Sequence, residues 1–226
     1  MANLNGKNVI ITGAAGGLGG EIARAAAAAG AAVAIFDVKG VDEAVANLKQ
    51  SGFKAVGVTV DVRDGKAVVA ATDEVARALG GVHILIAAAG GSLGTPRDLD
   101  DISEEDLDFV LDVNIKGTFN CARAAISHMK QNGGGSIVTF SSIGGRSASP
   151  VTGVPYAAAK AGLLGLTRRL AREVGNANIR VNAIAPGLFL TDRLQGMFDA
   201  LPEAERKEVL DSIPLGRMPQ LRECVE

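Results

Sequence analysis

Val9-Ile10-Ile11-Thr12-Gly13-Ala14-Ala15-Gly16-Gly17-Leu18-Gly19 sets an apolar, β-branched run against a glycine-rich turn and the start of an alanine-rich stretch. The run reads as a buried strand and Gly17 to Ala29 as a helix, with Ala25 to Ala29 small enough to let that helix lie close to a sheet. Gly13, Gly17 and Gly19 stand between the two in a Gly-x-x-x-Gly-x-Gly spacing. A turn of this kind leaves backbone amides at a helix N-terminus, where they can receive a pyrophosphate that side chains would obstruct. A glycine-rich turn with no ligand is the competing reading, and the position directly after a strand favours the first.

The same strand-then-helix unit recurs along the chain. Apolar runs at Asn8 to Thr12, Ala32 to Phe36, Ala55 to Val60, His83 to Ala88, Ser136 to Phe140 and Arg180 to Ala185 read as strands. Gly17 to Ala29, Val41 to Gln50, Lys66 to Leu79, Glu104 to Gln131 and Ala157 to Val174 read as helices. Ser103-Glu104-Glu105-Asp106 opens the longest of these as a capping box. Such alternation predicts right-handed crossovers and a doubly wound parallel α/β sheet between two layers of helices, with ligands at the carboxyl ends of the strands.

Composition narrows the function. At 226 residues the chain fits one domain, taken as 1–226. Lys plus Arg is 23 against 25 Asp plus Glu, a formal charge of −2, which gives no reason to expect nucleic acid or an anionic membrane as a partner. Cys121 and Cys224 have neither disulfide nor metal spacing, and no metal is expected. No apolar segment reaches the ~18 residues of a membrane span, and no export signal is evident, so a reducing cytoplasm is the expected setting. Twenty-nine glycines and no tryptophan suit close helix-to-sheet packing.

Pro155-Tyr156-Ala157-Ala158-Ala159-Lys160 carries the chemistry. Residues at i and i+4 share a helix face, so a phenol and an ammonium meet there, and the cation favours the phenolate. A free tyrosine titrates near ~10, too high for a base at neutral pH, and Lys160 together with a positively charged nicotinamide is expected to lower it. Ser142 supplies a hydroxyl to hold the substrate oxygen. Asp37 closes the second strand where a carboxylate would grip an adenosine ribose diol and repel a 2′-phosphate. Lys39 is the nearest basic residue, so NAD is expected over NADP. Asp61 follows the third strand and meets either an adenine amino group or, as a helix cap, the amides before Lys66.

The glycine motif, Asp37, Asp61, Asn114, Ser142, Tyr156, Lys160 and Pro186-Gly187 come in an order that resembles the short-chain dehydrogenase/reductase family, from about Asn5 to Met218. That resemblance implies a Rossmann-like fold and a catalytic group of Asn114, Ser142, Tyr156 and Lys160. Tyr156 would be the acid/base, Ser142 and Tyr156 would bind the substrate, Lys160 would bind the nicotinamide ribose, and Asn114 would hold a relay water at a helix distortion. The cofactor contacts it implies are Gly13, Ala15, Gly16, Gly17, Leu18, Gly19, Asp37, Asp61, Val62, Ala88, Ala89, Gly90, Tyr156, Lys160, Pro186 and Gly187. The backbone at Phe189 and the Thr191 hydroxyl would join them, on the nicotinamide carboxamide.

Two departures from the family pattern stand out. Ala87-Ala88-Ala89-Gly90 replaces the family's Asn-Asn-Ala-Gly, removing an amide that ties strand or ribose together. After Met218 the family's usual last helix and seventh strand do not follow, so six strands are expected and the chain reads as a truncated or divergently terminated member. Its sixth strand would then be an exposed edge of Val181, Ala183 and Ile184. The family usually assembles as a homo-oligomer, a tetramer or dimer.

Leu188, Phe189, Leu190, Leu194, Met197, Phe198 and Leu201 stud the segment after the sixth strand, and Ala204 to Asp211 reads as a short amphipathic helix. Residues 188–218 thus form either a substrate lid or ordinary core packing. A lid would favour an apolar secondary alcohol or ketone. The turn before it is similar to that of 3-hydroxyacyl-CoA and hydroxysteroid dehydrogenases in the family. The function expected is hydride transfer between a secondary alcohol and NAD(H) on a small molecule. A 3-oxoacyl carrier-protein reductase and a non-catalytic NAD-binding protein are the alternatives.

Overall fold

The computed structural model describes residues 3–148, 152–189, 196 and 198–225. Six strands form one parallel sheet: β1 (Asn8–Thr12), β2 (Ala32–Asp37), β3 (Ala55–Thr59), β4 (Ile84–Ala87), β5 (Gly135–Phe140) and β6 (Ile179–Ile184), in the order β3-β2-β1-β4-β5-β6. Register is continuous, with Ile10 opposite both Ala34 and Leu85, and Leu85 opposite Ile137. The order reverses between β1 and β4, which opens a crevice at their carboxyl ends.

The central strands β1 and β2 bury both faces, which is why their runs read as continuously apolar rather than alternating, while β4 and β5 keep part of their length half-buried. Val9, Ile11, Val33 and Ile35 face α1 (Gly17–Ala28) and α2 (Val41–Gln50). Ile10, Ala34, Phe36, Leu85 and Ile137 face α3 (Gly65–Leu79) and, after α4 (Glu104–Leu111), the helices α5 (Gly117–Gln131) and α6 (Val154–Val174). A further α-helix, α7 (Glu203–Asp211), follows β6, and a 3-10 turn, Leu221–Cys224, comes after it. Among the described residues, no helix is long and apolar enough to cross a membrane, and no cluster of His, Cys, Asp or Glu could hold a metal ion.

Several sequence expectations change. The continuous helix expected over Glu104 to Gln131 is interrupted by a π-helical turn, Asp112–Lys116, which supplies the distortion at Asn114 that the family resemblance implied, and its Ser103–Asp106 capping box forms as expected. The expected start of α6 at Ala157 moves back to Val154, because Pro155 has the fixed φ of a first helical turn and no amide that the turn would need. The cap before Lys66 is Asp64, whose carboxylate accepts the Lys66 and Ala67 amides, and not Asp61. β6 is an edge strand as expected, yet Val181 is buried on the α5 and α6 side, leaving Ala183 and Ile184 partly exposed.

Candidate functional site

A cleft of about 1070 Å³ lies over the carboxyl ends of β1, β2, β4, β5 and β6. Its floor is the turn from β1 into α1. Gly13 has φ +67 and a Cβ there would stand 2.8 Å from the Ala89 Cα, so the turn needs glycine both for its conformation and for the close approach of the loop after β4. A Cβ at Gly19 would collide with the Gly13 carbonyl, which is how α1 packs onto the turn. No side chain caps α1 at Gly16, so its first amides are left for a ligand.

Asp37 ends β2 at the rim. Its carboxylate accepts the Ala15 amide at 3.1 Å and the Val38 amide at 2.8 Å, so it ties the glycine turn to β2 while remaining on the cleft wall. Lys39 and Gly40 line the same rim.

The opposite wall is built from β5 and α6. Ser142 is the N-cap of a short 3-10 turn, its Oγ accepting the Gly144 amide at 3.1 Å. Tyr156 and Lys160 project from consecutive turns of α6. Lys160 is buried, with Nζ donating to the Phe140 carbonyl at 2.8 Å and standing 5.5 Å from the Tyr156 ring centroid. Ser141, unforeseen from sequence, donates its hydroxyl to the Lys160 carbonyl at 2.7 Å and so fixes α6 against β5.

The electrostatics differ from the sequence expectation. Burial pushes the Tyr156 phenol above its ordinary value, and only the hydrogen bond with Ser142 pulls the other way. Burial also brings the Lys160 ammonium down to about 8, and its Nζ is directed at a backbone carbonyl. The arrangement therefore presents a protonated phenol on the same wall as the Ser142 hydroxyl, with a weakened cation behind the ring.

Asn114 sits in the π-helical turn, fully buried behind the cleft wall. Its Nδ2 donates to the Gly91 and Val110 carbonyls at 3.0 and 2.8 Å, and its Oδ1 accepts the Gly91 amide at 3.1 Å. Both side-chain donors are thus committed to protein.

The other expected residues divide. Ala15, Gly16, Gly17, Leu18, Ala88, Gly90, Pro186, Gly187 and Phe189 line the cleft. Asp61, Val62 and Ala89 do not. The Asp61 carboxylate is held by Arg63 at 2.6 Å, which also keeps it below its ordinary pKa. Val62 is buried, with its carbonyl accepting from Asn120, and the Ala89 amide donates to the Thr12 hydroxyl at 2.9 Å. Thr191, Leu190, Leu194 and Met197 lie outside the described residues, while Leu188, Phe198 and Leu201 give the cleft an apolar side. Arg97 and Thr152 also line it and carried no sequence signal that separated them from loop residues.

Residues 7–201 match the family model described as short chain dehydrogenase. The chain is 40% identical over 227 residues to an uncharacterized short-chain type dehydrogenase/reductase of Sinorhizobium fredii, covering 97% of this chain and 87% of that protein. It is 37% identical to a 3alpha-hydroxysteroid dehydrogenase of Mediterraneibacter gnavus, covering 95% and 85%. Among solved structures it superposes on an NAD+-bound xylitol dehydrogenase with a TM-score of 0.90 at 27% identity, covering 98% and 90% of the two chains. A gluconate 5-dehydrogenase from Burkholderia cenocepacia in complex with NADP and tartrate gives 0.89 at 32%, covering 99% and 86%.

Proposed function

The chain belongs to the short-chain dehydrogenase family, an oxidoreductase acting on alcohol and carbonyl groups with a nicotinamide cofactor, and from that membership we propose that it interconverts a secondary alcohol and its ketone with NAD(H), Tyr156 serving as acid and base. The observation that carries this reading is the meeting of Ser142, Tyr156 and Lys160 on one cleft wall, with the Lys160 Nζ 5.5 Å from the Tyr156 ring centroid.

The residues present fit the cofactor. The uncapped N-terminus of α1 offers amides for the pyrophosphate, and Gly13, Gly17 and Gly19 leave room for it. Asp37 offers its carboxylate to a ribose diol and disfavours a 2′-phosphate, which supports NAD over NADP. The two solved relatives bind one cofactor each, so the choice rests on Asp37. The same carboxylate weighs against an NADPH-dependent carrier-protein reductase. When bound, the nicotinamide accepts or returns the hydride of the carbinol carbon.

Within the chain, Ser142 holds the substrate oxygen and Tyr156 exchanges its proton. Because burial keeps the phenol protonated, Tyr156 at neutral pH is an acid ready for ketone reduction, and alcohol oxidation gains as the pH rises. Lys160 binds the nicotinamide ribose, and a relay water at Asn114 uses the backbone or the remaining Oδ1 lone pair, since Nδ2 is engaged. Leu188, Phe189, Phe198 and Leu201 favour a substrate with an apolar body, and 188–218 is the substrate-facing segment of a single 1–226 domain. The chain works as a homo-oligomer, which light scattering after size-exclusion chromatography checks.

The test is Tyr156→Phe, with NADH binding followed by nucleotide fluorescence. Loss of turnover by about 10²–10⁴-fold with NADH affinity kept supports the assignment. Turnover within about tenfold of the parent removes it.

A further inference from the structure

Ile143 is an aliphatic side chain left open inside the cleft. It is 47% exposed and lines the cleft directly after Ser142. Leu188, Phe189, Phe198 and Leu201 also line it, but each is more covered. A single exposed aliphatic residue is ordinary on a protein surface. In a concave site, next to the serine that holds the substrate oxygen, it is surface that a bound substrate would cover.

The turn that carries Ile143 is fixed. Its amide donates to the Pro186 carbonyl at 2.9 Å, and its carbonyl accepts the Arg146 and Ser147 amides at 2.9 and 3.0 Å. Only the side chain is left to offer the cleft. A Cβ at Gly145 would stand 2.5 Å from the Lys160 carbonyl carbon and 2.7 Å from the Ala161 nitrogen, so glycine lets this turn press onto α6 at Lys160. The Ser141 hydroxyl secures the same junction through its bond to the Lys160 carbonyl. Ile143 is therefore held in one place relative to Tyr156 and Lys160, and its branched Cβ leaves few rotamers into which it could swing aside. Such a side chain discriminates by size, because neither backbone nor rotamer yields readily to a larger group.

We infer that Ile143 is a specificity-determining residue, which packs against the shorter carbon arm of the substrate and limits that arm to a methyl group. Ser142 holds the oxygen, and both arms begin on the carbon that bears it. Leu188, Phe198 and Leu201 give the longer arm its apolar side, and Ile143, beside Ser142, meets the other. The substrate class is then a methyl carbinol or its methyl ketone. This assignment rests on the dehydrogenase reading of the cleft and adds which group flanks the reacting carbon.

Hexan-2-one, heptan-3-one and octan-4-one keep a butyl arm while the other arm grows from methyl through ethyl to propyl. Fluorescence titration of each into the NADH-saturated Tyr156→Phe protein reads binding apart from catalysis. Hexan-2-one should bind at least about tenfold more tightly than octan-4-one. On that background Ile143→Ala should bring the two within about threefold and Ile143→Val should fall between, with NADH titration of each variant reporting on the fold. Equal binding of the three ketones by the Tyr156→Phe protein, no binding of any, or a preference that survives Ile143→Ala would overturn the assignment. A merely structural role for Ile143 gives the last of these, since it weakens all three ketones alike and leaves their ratio unchanged. If Tyr156→Phe retained turnover, the catalytic reading would fall and the same preference would be read as a ratio of kcat/KM values. Loss of the preference would instead leave the oxidation of secondary alcohols standing.

Discussion

Asn114 and Gly91 hold each other by a reciprocal pair of hydrogen bonds, Nδ2 to the Gly91 carbonyl at 3.0 Å and the Gly91 amide to Oδ1 at 3.1 Å. A third bond reaches the Val110 carbonyl at 2.8 Å. The residue thereby ties the loop after β4 to the π-helical turn, and a Cβ at the neighbouring Gly90 would collide with its Oδ1.

Asn114→Ala should therefore act on stability as well as on turnover. It removes the side-chain partner of the part-buried Gly91 amide and carbonyl and of the Val110 carbonyl, at a cost of about 2–4 kcal/mol. For a chain of this size that is a fall in melting temperature on the order of 10 °C. A thermal melt within about 2 °C of the parent would show that these bonds do not hold the loop.

Lys160 gives stability a sign with pH. Its pKa in the folded protein is about 8, against an ordinary 10.5, because burial opposes the ammonium. Below pH 8 both states are protonated and the folded one bears the desolvation. Between about 8 and 10.5 the unfolded chain binds the extra proton, so stability rises with pH through that window. Tyr156, raised above 10.0, works in the opposite direction only once the unfolded phenol ionises, near pH 10. Urea midpoints from pH 7.5 to 9.5 should climb for the parent and lose that climb in Lys160→Met.

The sheet and the Ser142, Tyr156 and Lys160 wall were legible because each depends on local rules: continuous apolar runs, glycines before a helix, and i, i+4 spacing on one face. The break at Asp112–Lys116 was implied only by the family resemblance, which puts a helix distortion at Asn114, since nothing in Asp112-Val113-Asn114-Ile115-Lys116 itself opposes an ordinary helix. It is accompanied by bonds to Gly91, distant in sequence. Asp61 was misjudged as a possible cap for a similar reason. Asp61 and Asp64 both precede Lys66, and only the path of the chain decides which carboxylate reaches the amides. The sign of the Tyr156 shift depended on burial, which spacing does not report.

Asp37 joins two roles that one substitution separates. Asp37→Ser removes the charge that disfavours a 2′-phosphate and keeps a short polar side chain near the Ala15 amide. NADH affinity should fall about tenfold and the NADH-to-NADPH affinity ratio should collapse toward one, read by fluorescence titration with both nucleotides. An unchanged ratio would place cofactor choice elsewhere on the rim, with Lys39 the next residue to replace.

The three glycines at 16, 17 and 19 meet different constraints, and alanine scanning should rank them. Gly16 is extended, with φ −170, and a Cβ there meets nothing within 4 Å, so Gly16→Ala should leave stability within about 0.5 kcal/mol of the parent. Gly17 has φ +55, where an alanine pays about 1–2 kcal/mol of left-handed strain. At Gly19 the obstacle is the Gly13 carbonyl, part of the backbone and unable to rotate away, so α1 must move off the turn. Gly19→Ala should cost the most, about 1–3 kcal/mol or more, and should weaken NADH binding because the displaced helix carries the phosphate-facing amides with it. If Gly16→Ala proved the most destabilising of the three, the close packing of α1 on the turn would not be what selects glycine here.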